Sequence, residues 1–125
     1  MRLNRGSTLS RSCVRFVAGL GIAIDAALFV FKAPGPFTWS THLFALWLML
    51  AWIVALVLAW RPNPSGLVHG VLACAAFEAL AFYLAFVAPG GSTAALIYAV
   101  KPVWQLGLLL LAIIGGMLVA RHRNK

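Results

Sequence analysis

Three residues of this chain place an ionisable group deep inside an apolar segment: Asp25 in "GIAIDAALFVF", Glu78 in "ACAAFEALAFYLAF" and Lys101 in "YAVKPVWQLGLL". Asp25 and Glu78 are also its only acids, set against ten Lys and Arg. Carboxylates and an ammonium can pair, exchange protons or capture a ligand, and two carboxylates sharing one ammonium leave a negative charge in excess. The spacing gives each group an inward face. Ala18, Gly21 and Asp25 follow the i, i+3, i+4 pattern of one helix stripe, as do Gly70, Cys74, Glu78, Ala81 and Ala85. Small residues on such stripes let neighbouring helix backbones approach closely. Tyr98, Lys101 and Gln105 share a third face, and Pro102 removes the amide that would bond the Tyr98 carbonyl, predicting a kink beside the lysine.

The elements that must position these groups are long and apolar. With 63% hydrophobic and 10% charged residues and a mean hydropathy of +0.97, the chain reads as a membrane protein. Four runs, about 16–31, 39–60, 67–88 and 93–120, each come near the roughly 20 residues that cross a hydrocarbon core. They show no polar–apolar alternation, which excludes a porin-like barrel. The breaks "KAPGP", "RPNPSG" and "APGGS" are short and rich in turn residues, so the fold expected is all-α: one antiparallel bundle of four transmembrane helices with no soluble domain. Counted from the outer helix ends, Asp25, Glu78 and Lys101 lie about 9, 15 and 12 Å deep at 1.5 Å per residue, in one layer. Each isolated charge there costs roughly 2.5 to 3.5 kcal/mol, so the three are expected to meet. The site read from the residues is Asp25, Glu78 and Lys101 with Gln105 and Tyr98, binding a substrate or a proton. A register-fixing ion pair is the structural alternative.

Charge sets the orientation. Arg2, Arg5, Arg11, Arg15, Arg61, Arg121, Arg123 and Lys125 flank the runs on one side, and Lys32 alone marks the other, which places both termini in the cytoplasm. The net charge of +8 is therefore read as topology and attraction to anionic lipid headgroups rather than nucleic-acid binding. Trp39 and Trp60 stand at the two ends of the second run, as an aromatic belt requires. Asp25 interrupts what would be a signal-peptide core, and no A-x-A cleavage site follows. Cys13 and Cys74 fall at different depths, so no disulfide is expected. His42, His69 and His122 are dispersed, and neither a metal nor another cofactor is expected. No acid lies outside the apolar runs to do general acid or base work, so the chain is read as non-enzymatic.

The first run, "VRFVAGLGIAIDAALFVF", resembles the opening of the GtrA-like family of small four-helix membrane proteins. Arg15, Phe16, Gly19, Gly21 and Asp25 stand where that family has an Arg-Phe pair, a glycine-rich turn and a mid-helix aspartate. "YAVKPVWQLGLL" is similar to the family's Ala-Lys segment, with Lys101 in the lysine position. The ends of the second and fourth runs, "LVLAWRPN" and "GMLVARHRN", depart from the family's Asn-containing signatures and leave Arg61 and Arg121 as counterparts. The resemblance implies movement of polyprenyl-phosphate-linked sugars across the cytoplasmic (inner) membrane, or help for an enzyme of polysaccharide biosynthesis that uses them. Lys101 is compatible with a phosphate contact, and Arg15 and Arg61 with headgroup contacts.

Two functions are thus expected from the sequence. One is a small carrier or flippase, homo-oligomeric or joined to a partner membrane protein. The other is a non-transporting accessory or assembly subunit of a membrane complex, with the charged trio as an internal clamp.

Overall fold

Apolar segments of this length form helices because the bilayer offers no partner for a free backbone amide or carbonyl. The computed structural model describes residues 5–32, 38–60, 66–87 and 93–125, and all four of its long elements are helical. They are α1 (Arg5–Lys32), α2 (Trp39–Ala59), α3 (Leu67–Phe82) and α4 (Thr93–Arg123), with a π-helical turn, Tyr83–Val87, prolonging α3. All four are long and apolar enough to cross a membrane, over Leu9–Phe31, Trp39–Ala59, Leu67–Val87 and Leu96–Arg123. The protein is a multi-pass membrane protein.

The helix bounds differ from the apolar runs at two ends. α1 begins at Arg5 rather than near Phe16, and α4 continues to Arg123 rather than stopping at Ala120. Hydropathy reports where the bilayer stops, whereas the backbone stays helical through "RGSTLSRSCVR" and "RHR", which hold no proline to stop it.

The helices sit at the corners of a square in the order α1, α2, α4, α3. α1 packs on α2 and α3, α4 packs on α3 and α2, and α1 and α4 occupy opposite corners. Close approach comes from small residues. Ala51, Ala55 and Ala59 form a buried stripe on α2, and Ala18 and Gly21 are buried on α1. A Cβ at Gly21 would collide with the indole ring of Trp52, itself almost fully buried, so the glycine makes room for the largest side chain of the core. Along α3 and α4 the contacts run in opposite senses: Gly66 meets Ala112 and Gly116, Gly70 meets Leu109 and Ala112, Cys74 meets Gln105, and Glu78 meets Lys101.

Gly66 caps α3 at φ +91°, a conformation that side chains strain to adopt, and its missing Cβ would fall on the Ala112 carbonyl oxygen. α2 is opened by Thr38, whose amide donates to the Thr41 hydroxyl at 3.1 Å. The outward faces are apolar, with Phe16, Leu43, Leu80, Trp104 and Leu111 all exposed, as lipid-facing surfaces are.

Candidate functional site

Lys101 is the centre of the charged layer and is completely enclosed. Its Nζ donates to Asp25 Oδ1 at 2.6 Å and to both Glu78 oxygens at 2.8 Å. α4 supplies the lysine, α1 the aspartate and α3 the glutamate, so one ammonium ties three helices. Its link to α1 crosses the diagonal of the square, where the backbones do not touch. Only a side chain as long as lysine makes that reach.

The stripes read from sequence are buried except at Ala85, which is half-buried. Ala18, Gly21 and Asp25 face inward on α1, as do Gly70, Cys74, Glu78 and Ala81 on α3. Gln105, one turn from Lys101 and fully buried, donates from Nε2 to Glu78 Oε2 at 2.9 Å. It also reaches the Cys74 carbonyl at 3.4 Å, and the Cys74 thiol in return donates to the Gln105 carbonyl at 3.3 Å. This reciprocal pair locks α3 to α4 directly beneath the glutamate. Tyr98 lies on the same face, its ring centroid 5.3 Å from Nζ and 5.9 Å from the ring of Phe86, which the π-helical turn carries. The tyrosine contributes its ring face to the ammonium.

Three buried polar atoms of this layer have no hydrogen-bond partner among the described residues: Asp25 Oδ2, Gln105 Oε1 and the Tyr98 hydroxyl. Buried polar atoms are rarely left so, and each can receive or offer a hydrogen bond without displacing an existing one. The layer therefore has capacity for a proton or a small polar ligand.

Access differs among the three charges. The side chains of Lys101 and Asp25 are 0% and 1% exposed, that of Glu78 9%. Glu78 borders a cleft of about 400 Å³ between α1 and α3, walled by Leu20, Ile24, Ala79 and Phe82 and backed by Trp52. The one polar side chain at that cleft which can ionise is a carboxyl group. Lys101 is thus screened from a phosphate by the two carboxylates it serves, and the compatibility expected from sequence does not extend to its present surroundings.

The two headgroup candidates part company. Arg15 places its guanidinium 4.3 Å above the Trp60 ring, joining α1 to the end of α2. Arg61 lies outside the described residues.

Two features escaped the sequence reading. The Trp47 indole N–H donates to the Ala99 carbonyl at 2.8 Å, linking α2 to α4 three residues before Pro102. The proline pointed to the Tyr98 carbonyl as the freed acceptor. The carbonyl that Trp47 engages is that of its neighbour, Ala99. Trp52 is the other, since a buried tryptophan one turn from Leu48 looks like any core residue. The only signal for it was Gly21, a glycine inside a helix that had to be facing something large.

No protein-family model, curated protein or solved structure matches this chain, so the likeness to GtrA-like proteins stands on the quoted residues alone.

Proposed function

We propose that this protein is a small carrier of the cytoplasmic membrane, an antiparallel four-helix bundle with both termini in the cytoplasm, and that Glu78 is its exchangeable group. The observation that carries the reading is the shared position of Glu78, hydrogen-bonded to Lys101 on one side and bordering the α1–α3 cleft on the other. The opposed contact order along α3 and α4, and the pairing of Arg15 with Trp60 and of Gly21 with Trp52, support the antiparallel arrangement. The cytoplasmic assignment rests on eight of the ten Lys and Arg flanking one side. A reporter fused after Lys125 should accordingly be active only in its cytoplasmic form, and a periplasmic signal there overturns the topology.

The carrier step follows from charge balance. Asp25 and Lys101 form a neutral pair by themselves, and Glu78 adds the surplus negative charge. When Glu78 releases Lys101 it can face the cleft, compensated by a proton or by a hydrogen-bond donor of the cargo, while Asp25 keeps the ammonium satisfied. The resemblance suggests a polyprenyl-phosphate-linked sugar as cargo. In that case the sugar hydroxyls suit Glu78, and the phosphate meets Lys101 only after Glu78 has moved away. A second copy or a partner membrane protein would close the cleft from the lipid side.

The completeness of the Glu78 hydrogen bonds favours the other reading, an accessory subunit in which the trio is a clamp. Glu78→Gln separates the two. It preserves size and leaves the neutral Asp25–Lys101 pair, so the folded bundle should accumulate normally while cellular function is lost. Full function at normal abundance would make Glu78 structural and end the carrier reading.

A further inference from the structure

We propose that the groove between the start of α3 and the end of α4 binds an anionic phospholipid, with its phosphate between His69 and Arg123 and an acyl chain along the small residues of α4. The groove measures about 540 Å³ and lies at the end of the bundle that carries the basic residues. Its floor is Ala112, Gly115, Gly116 and Ala120, which offer little beyond backbone, so a hydrocarbon chain can lie close to the helix axis. A Cβ built on Gly115 would meet nothing within 4 Å, which marks open space beside it. His69 and Arg123, both exposed, stand at the groove and supply its donors.

Charge complementarity selects the occupant. The chain has two acids, and both are engaged by Lys101 in the buried layer. No side-chain carboxylate of this chain is left to pair with Arg123 at this groove, and the nearest plentiful anions are lipid headgroups of the same leaflet. Basic pockets between transmembrane helices bind such headgroups through the Lys and Arg near the membrane surface. The groove is remote from the Glu78 cleft, so the assignment stands or falls independently of the carrier reading.

The test uses the full chain purified in mild detergent and supplied with phosphatidylglycerol or phosphatidylcholine, with retained lipid counted by native mass spectrometry and thermal stability followed in parallel. Phosphatidylglycerol should be retained about fivefold better. Replacing His69→Gln and Arg123→Gln together should abolish the preference. Arg121→Gln with Lys125→Gln removes two formal charges, more than the groove pair does, from a separate hollow that these residues share with His122 and Leu118, and should leave the preference intact. Gly115→Leu projects into open space and should expel the lipid without altering stability in phosphatidylcholine. Equal retention of the two lipids overturns the proposal. So does an equal loss from the Arg121 and Lys125 pair, which would reduce the effect to diffuse attraction. Stabilisation by inorganic phosphate matching that by phosphatidylglycerol would show a free-anion site and overturn it as well. If Gly115→Leu unsettles the bundle, the two charge pairs decide between them.

Discussion

Lys101→Met is expected to remove most of the folded protein. The substitution keeps an unbranched side chain one atom shorter but leaves Asp25 and Glu78 facing each other in a buried layer, with the ammonium that bonded both of them gone. Breaking a buried ion pair by deleting one partner costs about 3 to 5 kcal/mol, and here two carboxylates lose the same partner. Replacing Asp25→Leu and Glu78→Leu alongside Lys101→Met should recover much of that loss, because an apolar layer of similar volume needs no counter-charge. Thermal unfolding of the singles, pairs and triple in detergent measures the coupling directly. A triple mutant whose destabilisation equals the sum of the singles would show that the three groups act independently and would contradict the observed geometry.

Gly66→Ala is the second large effect expected, and it acts through backbone rather than charge. At φ +91° an alanine is strained by roughly 1 to 2 kcal/mol, and its Cβ also collides with the Ala112 carbonyl of α4. The helices must separate at the start of α3, and that displacement propagates along the Gly70, Cys74 and Glu78 contacts. Gly66→Asn distinguishes the two causes, since asparagine tolerates the left-handed region but still carries a Cβ. Both variants should lose thermal stability, Gly66→Ala more. Unchanged stability in both would mean that α3 and α4 do not meet at Gly66.

The charged layer was legible in the sequence because polar groups in hydrocarbon have few places to go. Asp25, Glu78 and Lys101 stood alone at matching depths, and the glycines and alanines beside them marked the faces that had to be inside. Gln105 was visible through its spacing from Lys101. Other features left little trace. The order of helices around the square is not encoded in hydropathy, because lipid-facing and helix-facing positions are equally apolar. The same uniformity hid the π-helical turn within "FYLAFV" and the cleft beside Glu78, which is lined almost wholly by apolar side chains of α1 and α3. The start of α1 at Arg5 was missed because membrane thickness, rather than helix length, had been read from the apolar run.

The diagonal reach of Lys101 also bears on how the buried charges balance. α3 and α4 carry a glutamate and a lysine that satisfy each other, so this pair of helices is charge-neutral at that depth by itself. α1 and α2 carry Asp25 alone, an acid with no counter-charge of its own hairpin at that depth and a penalty of about 2.5 to 3.5 kcal/mol until it finds one. Its partner stands on α4, across the diagonal of the square. The Asp25–Lys101 bond at 2.6 Å therefore makes charge balance a property of the whole bundle: Asp25 is compensated only when the α1–α2 pair and the α3–α4 pair are docked together.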